Sequence, residues 1–435
     1  MTWQFVKGLI LVLISAMTLS ACDDIDRLPG TRLAVFAADQ SLLMQGQTQP
    51  VQLMAPTTNR NWLMPGNVPT HASYHLALGA APVRQWGIDI GIHENARQKI
   101  TAQPIVVDGL VYAMDAAMNV SARQLADGEL VWRVNVSDPN EASQTFGGGL
   151  AFGNGRIFAA TGDGELYALA PNTGRAVWRT KIAGPARGGP TFDNGRLYVQ
   201  TLNNRTQAFL ATTGQILWTH SGLEEQTSIV GTSSPAAQGD FVYITYSSGQ
   251  VFALLAADGR EAWSDILTSL SPSSGRLQLE IADIQALPVL DRGSLYVTSN
   301  GGRTVAYDSA TGRRLWQYSG GGTQTPAVGQ SHLFLVTNDG TALSLDRTTG
   351  QPAWIKDLGT NATQNGTRKI EWFGPILAGN RLLLANSRGQ LITLSPYNGR
   401  LLGEVEVGAG VAVPPIVAQG SLLLLTQRAD LLAYR

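Results

Sequence analysis

The side chains that could perform chemistry are few in this chain of 435 residues, and they do not form a recognisable site. The five histidines are scattered, whereas metal centres draw their ligands from short, characteristic spacings. Only two of them lie four residues apart, in a proline-flanked region without the pattern of a helix. The sequence therefore predicts no metal site at its histidines, which are His71, His75, His93, His220 and His332.

Carboxylates and nucleophiles lead to the same conclusion. Asp115, Asp163 and Asp339 each occupy a turn position, where a short acidic side chain can bond to the turn backbone. The sequence has neither a Gly-x-Ser-x-Gly elbow for a nucleophilic serine nor a phosphate-cradling loop followed by lysine. These residues favour a protein that is not an enzyme and that needs no cofactor.

The one cysteine, Cys22, has a different explanation. It follows a segment with Lys7 near its start and an apolar run at 9–14. That run is too short to cross a bilayer as a stable helix, and the segment has the pattern of a targeting peptide. Its end, Leu19-Ser20-Ala21-Cys22, resembles the bacterial lipobox. The resemblance implies a signal peptide at 1–21 and acyl chains on Cys22, which would anchor a soluble domain at a membrane.

Residues 22–78 are polar and contain several prolines and glutamines. They are predicted to form a lipidated tether, with one short strand at 32–36. The mature protein would face an oxidising periplasm without a disulfide of its own. Asp23 directly follows the cysteine, and in the best-known sorting system an aspartate there favours retention in the inner membrane. Anchoring at the outer or at the inner membrane is therefore left open.

Charge is almost balanced in this chain, with 31 basic and 32 acidic residues, and only 14% of its residues are charged. This composition provides no electrostatic attraction to nucleic acid. The 48 glycines instead suit many short strands joined by tight turns.

A repeated phrase, Thr or Asp followed by Gly-x-x-x-Trp, organises the rest of the chain. Neighbouring copies lie roughly 38 to 53 residues apart, the range of four-stranded propeller blades. The apolar runs between them are short and end at Asn-Gly or Asp-Gly pairs, so they are predicted to be strands. A seventh copy, beginning at Asn398-Gly399, has Gly403 in place of the tryptophan. The complete copies end at Trp132, Trp178, Trp218, Trp263, Trp316 and Trp354.

The repeats predict an all-β fold, an eight-bladed β-propeller of four-stranded antiparallel blades over residues 79–435. The last unit stops before its final strand, and residues 83–88 could supply that strand with Trp86 in the vacant position. Pairing the two ends would close the ring and leave no blade with an open flank. Seven blades are the alternative. The tryptophans are predicted to pack between neighbouring blades, each indole N–H reaching a backbone carbonyl.

Together with the lipobox, this pattern resembles the BamB family, the lipoprotein propellers of the outer-membrane β-barrel assembly machine. The resemblance covers most of the mature chain, and the repeat itself is of the pyrroloquinoline-quinone-enzyme type. It implies a non-enzymatic scaffold at the periplasmic face of the outer membrane, which docks on a POTRA domain of the central subunit, BamA. Exposed strand flanks could also add a strand from an unfolded outer-membrane protein.

The resemblance further implies a docking surface on two loops. The first corresponds to Thr227-Ser228-Ile229-Val230-Gly231, and the second to Asp283-Ile284-Gln285. Val230, Gln285 and Thr227 stand where the family has arginine, aspartate and leucine. The lost arginine removes a charge-assisted hydrogen bond. Ile229, Val230 and Asp283 are predicted to be the central contacts, within a polar rim.

The stretch between Ser264 and Ile284 is longer than a blade needs and has no strand-like regularity. Long connections of this kind often bind a partner, although an indifferent surface loop is the alternative.

Two other functions are left open. Quinoprotein dehydrogenases share the repeat, yet they typically carry an adjacent cysteine pair beside the quinone and acidic ligands for calcium. Here the only cysteine is assigned to the anchor. The second alternative, suggested by Asp23, is a propeller anchored in the inner membrane that serves another periplasmic partner.

Overall fold

The computed structural model describes residues 49–137, 147–224, 233–267, 269–273, 276–280, 283–359 and 369–435, with the backbone alone at 269–273 and 276–280. The predicted signal peptide, Cys22 and the first part of the predicted tether lie outside the described residues, and so do Thr227 to Gly231. The described residues contain 34 β-strands and no helix. The strands form eight four-stranded antiparallel sheets, each ordered from the centre of the ring outward, and one two-stranded hairpin.

The first four blades follow one another along the chain, each beginning with an inner strand at the hub and ending with a largely exposed outer strand. Blade 1 comprises β2 (Ile105–Val107), β3 (Leu110–Met114), β4 (Asn119–Gln124) and β5 (Leu130–Asn135). Blade 2 comprises β6 (Gly148–Gly153), β7 (Arg156–Thr161), β8 (Glu165–Leu169) and β9 (Ala176–Lys181). Blade 3 comprises β10 (Thr191–Asp193), β11 (Arg196–Gln200), β12 (Arg205–Leu210) and β13 (Ile216–Ser221). Blade 4 comprises β14 (Ala236–Gln238), β15 (Phe241–Thr245), β16 (Gln250–Leu255) and β17 (Glu261–Ile266).

The remaining blades repeat this order, after a hairpin of β18 (Ser269–Ser273) and β19 (Arg276–Glu280). Blade 5 comprises β20 (Val289–Asp291), β21 (Ser294–Ser299), β22 (Arg303–Asp308) and β23 (Arg314–Ser319). Blade 6 comprises β24 (Ala327–Val328), β25 (His332–Val336), β26 (Thr341–Asp346) and β27 (Pro352–Asp357). Blade 7 comprises β28 (Trp372–Ala378), β29 (Arg381–Asn386), β30 (Gln390–Leu394) and β31 (Leu401–Glu406). Blade 8 comprises β32 (Ile416–Ala418), β33 (Ser421–Leu425), β34 (Asp430–Tyr434) and β1 (Arg84–Asp89).

Blade 8 closes the ring by joining two distant parts of the chain. Its outer strand β1 pairs antiparallel with β34, with Trp86 opposite Ala433. The Trp86 indole N–H donates to Leu125 O over 3.0 Å, as the tryptophans of the complete copies do toward the next blade. The predicted eight-bladed fold and its closure are therefore confirmed, and the seven-bladed alternative is wrong.

The repeat motif connects each blade to the next. In seven blades the outer-strand tryptophan donates its indole N–H to a backbone carbonyl of the following blade, over 2.7–3.2 Å. The indole ring packs against the glycine in the last turn of that following blade. At Gly399, for example, φ is +68°, and a Cβ would lie 2.6 Å from the Trp354 ring. The glycine therefore provides both the turn conformation and the space for the indole plate.

The ring has two faces. The loop face carries the loops that enter the blades, whose described parts include 90–104, 182–190, 283–288, 320–326 and 407–415. The turn face is the opposite side, where the first and second strands of each blade are joined, for example by Asn154-Gly155 in blade 2.

Residues 49–78, which we call the strap, lie across the hub on the turn face. Trp62 is 1% exposed and exchanges two backbone hydrogen bonds of 2.8 Å with Val106 of blade 1. Further backbone hydrogen bonds reach blades 2, 4, 5, 6, 7 and 8, and at blade 3 Pro65 lies against Gly189. The structure thus differs from the predicted tether: the polar strap is ordered because its backbone pairs with the blade ends.

The stretch after β17 also differs from its prediction. The sequence predicts no strand there, but β17 continues to Ile266, and the hairpin of β18 and β19 follows, with Leu270 opposite Leu279. The expectation of an irregular loop is therefore wrong. Period-2 alternation is weak in such short strands, so local pairing is difficult to predict from sequence.

Candidate functional site

An ion pair inside the loop face joins two of the blade-entering loops. Arg187 lies in the loop that leads to blade 3, and Asp283 lies in the loop that leads to blade 5. Arg187 Nη2 is 2.5 Å from Asp283 Oδ1 and also donates to Ile284 O over 3.0 Å. Both side chains are buried, with exposed fractions of 1% and 0%. The pair therefore joins the loops that lead to blades 3 and 5, and these two loops flank the loop that leads to blade 4.

Other hydrogen bonds hold this ion pair in place. Gln285 donates from Nε2 to the second carboxylate oxygen of Asp283 over 3.0 Å, and Asn300 N donates to the Asp283 carbonyl over 2.9 Å. Arg187 Nε and Nη1 have no hydrogen-bond partner among the described residues. A buried cation with one counter-ion makes the pair sensitive to the loss of either member.

The described ends of the predicted docking loop are attached to the same region. Ser234 Oγ donates to Gly189 O over 2.7 Å, and Ser233 Oγ lies 3.1 Å from Thr245 Oγ1. Both serines are buried. On the other side of the loop, Leu223 is 57% exposed. Ser233 and Ser234, which follow the predicted docking segment in the chain, are therefore anchored, Ser234 against the loop that contains Arg187.

The structure changes the interpretation of two predicted contact residues. Asp283 and Gln285 lie together as predicted, but Asp283 is 0% and Gln285 is 8% exposed. In this conformation Asp283 can support a docking surface from inside but cannot form part of it. Sequence reasoning missed its partner, Arg187, although a charged residue in the run Gly184-Pro185-Ala186-Arg187-Gly188-Gly189-Pro190 was a usable signal.

A cavity of about 500 Å³ lies in the hub. The strap contributes Trp62, Pro65, Gly66, His71 and Ser73 to its lining. This volume is in the usual range for small-ligand sites.

Charged side chains also line the hub cavity. Lys99 Nζ is 3.0 Å from Glu94 Oε2. Desolvation, with the nearby Glu94 carboxylate, raises the pKa of Glu371 above its ordinary value, and Lys99 opposes this shift. The described residues hold no group of three or more His, Cys, Asp and Glu side chains placed to bind a metal ion.

His71 and His75 have structural partners in the strap. His71 is 2% exposed, and its Nδ1 lies 2.8 Å from Pro288 O, so Nδ1 carries the proton and donates it. Burial lowers the pKa of His71 to about 4. His75 Nδ1 contacts Met54 O over 2.6 Å, and its Nε2 accepts from Asn380 N over 2.9 Å. These contacts attach the strap to blades 5 and 7.

The turn acids have the predicted role. Asp115 Oδ1 accepts the backbone N–H groups of Ala117 and Asn119, each over 2.9 Å. Asp339 accepts a hydrogen bond from the hydroxyl of Thr337 at the other end of its turn.

Among the described residues no helix is long and apolar enough to span a membrane.

Comparison with known proteins agrees with the architecture. A family model described as outer membrane protein assembly factor BamB matches residues 117–356. The chain is 31% identical over 360 residues to BamB of Xanthomonas campestris, an alignment that covers 80% of this chain and 85% of that protein. It is 30% identical over 328 residues to BamB of Salmonella typhimurium, covering 74% of this chain and 81% of the relative.

The chain belongs to the BamB family. Some relatives match over less: the chain spans 54% of the length of an uncharacterized protein of Rickettsia conorii, at 26% identity. BamB from Moraxella catarrhalis has the same fold, with a TM-score of 0.67 at 18% identity, covering 82% of this chain and 98% of that one. A europium-containing methanol dehydrogenase shares the fold at a TM-score of 0.63 and 14% identity, covering 84% and 89%.

Proposed function

We propose that this chain is a non-enzymatic scaffold of the complex that assembles outer-membrane β-barrel proteins. The observation that carries the proposal is family membership, because the relatives that match most of the chain are outer membrane protein assembly factors. The lipobox adds an anchor at Cys22, which would hold the propeller on the periplasmic side of the outer membrane. The charge balance and the closed ring suit a protein that offers surfaces to other proteins.

The partner in this proposal is a POTRA domain of a BamA-like central subunit, and the docking surface is on the loop face. Ile229 and Val230 would contact the partner directly. Asp283 and Gln285 would act from inside, because Asp283 is buried against Arg187 and Gln285. Support of this kind favours binding, since a loop that is already positioned loses less conformational entropy when it docks.

Co-purification of the full chain with the BamA-like subunit from solubilised membranes tests this docking surface. We expect Ile229→Asp to reduce recovery of the partner at least tenfold, which corresponds to about 1.4 kcal/mol. Thr212→Ala is the matched control, because Thr212 is exposed in the turn between β12 and β13, on the opposite face of blade 3. Unchanged recovery with a folded Ile229→Asp variant would remove the 227–231 loop from the docking surface.

The anchor has its own experiment. Cys22→Ser should prevent acylation and move the protein from the membrane fraction to the soluble periplasmic fraction, because the lipid is the proposed membrane attachment. Separation of the two membranes should recover the unaltered protein with the outer membrane. Recovery with the inner membrane would instead support the adaptor that Asp23 suggests.

A further inference from the structure

The outer strand of blade 7 lacks the tryptophan that the other seven outer strands carry. Gly403 occupies that position in β31, and all six residues of the strand are exposed. A Cβ built at Gly403 would have only Thr393 Oγ1 within 4 Å, at 3.3 Å. Among the described residues, the place that a tryptophan side chain takes in the other blades is therefore unfilled beside this strand, and we call this place the slot.

The closure of the ring explains why the slot is empty. Trp354 of blade 6 packs on the turn glycine Gly399 of blade 7. The corresponding place in blade 8 has no such turn, because β34 and β1 come from separate parts of the chain. A tryptophan at 403 would have no turn glycine to cover it. Apolar side chains next to the slot stay exposed: Leu401 is 48%, Leu402 43% and Val405 49% exposed.

Within the part of the chain that the structure describes, β31 is an edge strand whose one sheet neighbour is β30. Val407 N donates to Gly389 O over 2.7 Å just beyond the paired residues. Hydrogen-bonded and non-hydrogen-bonded positions alternate in an antiparallel pair. Gly403 and Val405 therefore bond to β30, while Glu404 and Glu406 direct their backbone N–H and C=O groups outward.

Blade 7 is the one blade in which both of these outward positions are acidic. Gln390 Nε2 donates to both carboxylates, over 2.9 Å to Glu404 and 3.5 Å to Glu406. Among the described residues no basic side chain forms a salt bridge with either of them. None of the other seven outer strands has two acidic residues at the corresponding positions. The edge of β31 thus combines outward backbone groups, the empty slot, exposed apolar side chains and two negative charges.

We propose that β31 binds an extended polypeptide segment, which adds to blade 7 as a fifth strand. Strand addition satisfies the open backbone groups, and side-chain positions on the added strand set its specificity. A large apolar side chain, best an aromatic one, would lie opposite Gly403 and cover it, as aromatic residues do at edge glycines. Basic side chains would lie opposite Glu404 and Glu406. The bound segment therefore alternates apolar and basic residues.

This site is separate from the proposed docking surface. It lies on the outer wall of blade 7, whereas Ser234, which follows the first predicted docking segment, and Asp283 lie in the loops that lead to blades 4 and 5. Only the identity of the segment, as a strand of an unfolded barrel protein, rests on the proposed function. A second copy of the chain is a poor occupant, because two β31 edges would place like charges opposite each other.

The experiment uses the full chain in detergent and a labelled ten-residue peptide in which lysine alternates with phenylalanine and valine, followed by fluorescence anisotropy. We expect binding, and we expect Gly403→Trp to weaken it at least tenfold by filling the slot. Glu404→Pro should weaken it similarly, because proline removes an outward N–H that β30 does not use. The matched control is Ile355→Pro, at the same repeat position in blade 6, which should leave binding unchanged.

A second arm tests charge and identity. Replacing both Glu404 and Glu406 by lysine should weaken binding of the basic peptide at least tenfold and favour a peptide with glutamate in place of lysine. A photo-crosslinking residue at position 405 should capture the added peptide. The proposal is overturned if Gly403→Trp folds and binds normally, if Ile355→Pro weakens binding as much as Glu404→Pro, or if position 405 captures a second copy of the chain.

Discussion

The guanidinium of Arg187 and the carboxylate of Asp283 meet inside the loop face, 96 positions apart in sequence and 2.5 Å apart between Nη2 and Oδ1. This contact exists because the closed ring brings the loops of blades 3 and 5 together above blade 4. It turns a residue that the sequence suggests as a surface contact into an internal support of the loop face. The consequences of the contact can be measured separately from any partner.

Removing one member of this pair should destabilise the fold strongly. Arg187→Met leaves the Asp283 carboxylate buried without its counter-ion, and such changes cost about 3 to 5 kcal/mol. Urea unfolding of the full chain measures this cost. The double variant Arg187→Met/Asp283→Leu should regain most of the lost stability, because no charge stays buried. A cost below about 1 kcal/mol for Arg187→Met would contradict a supporting role for the pair.

Two glycines of blade 7 should respond differently to alanine. At Gly399 a Cβ would meet the Trp354 ring at 2.6 Å and φ is +68°, so Gly399→Ala should cost more than about 1 kcal/mol. At Gly403 φ is not positive and a Cβ would meet only the Thr393 hydroxyl, at 3.3 Å, so Gly403→Ala should change stability by less than about 0.5 kcal/mol. Thermal unfolding of the two variants is the measurement. Equal destabilisation would show that the slot beside Gly403 is not open.

The strap should contribute to the stability of the whole ring. Trp62 is 1% exposed, and truncating a buried tryptophan costs about 3 to 5 kcal/mol, so Trp62→Ala should lower the free energy of unfolding by that amount. Thr58→Ala, at an exposed position of the same strap, should change it by less than about 0.5 kcal/mol. Chemical denaturation decides between the two interpretations of this segment. A Trp62→Ala variant as stable as Thr58→Ala would indicate that the strap is a tether after all.

His71 should make the protein less stable in mild acid. Its pKa is lowered to about 4 by burial, against an ordinary value of 6.5, so the unfolded chain binds a proton in this interval and the folded chain does not. Stability is therefore lost as the pH falls from about 6.5 to about 4, by about 3 kcal/mol over the whole interval. His71→Gln should lose correspondingly less. Urea unfolding at several pH values measures the difference, and identical pH dependence in both proteins would rule out His71 as the source.

The repeat determined most of the architecture without any coordinates. Strand length, turn glycines and the spacing of Trp132 to Trp354 are local features of the sequence, and they repeat from blade to blade. Eight blades and their closure through Trp86 were therefore predictable. The assignment of the docking loops stays a prediction. Cys22 and Ile229 lie outside the described residues, and the sequence can suggest their roles only through resemblance.

Only the tertiary structure decided what depends on contacts between distant parts of the ring. The strap is held by backbone hydrogen bonds to one blade end after another. Such bonds leave no hydrophobic periodicity in its side chains, so the sequence does not predict that it is ordered. The pairing of Arg187 with Asp283, and with it the burial of Asp283, requires the closed geometry of the hub. Likewise, the sequence shows only that Gly403 replaces the tryptophan of the repeat. It becomes an open slot because the next blade is the one that closes the ring, where no turn glycine exists to cover an indole.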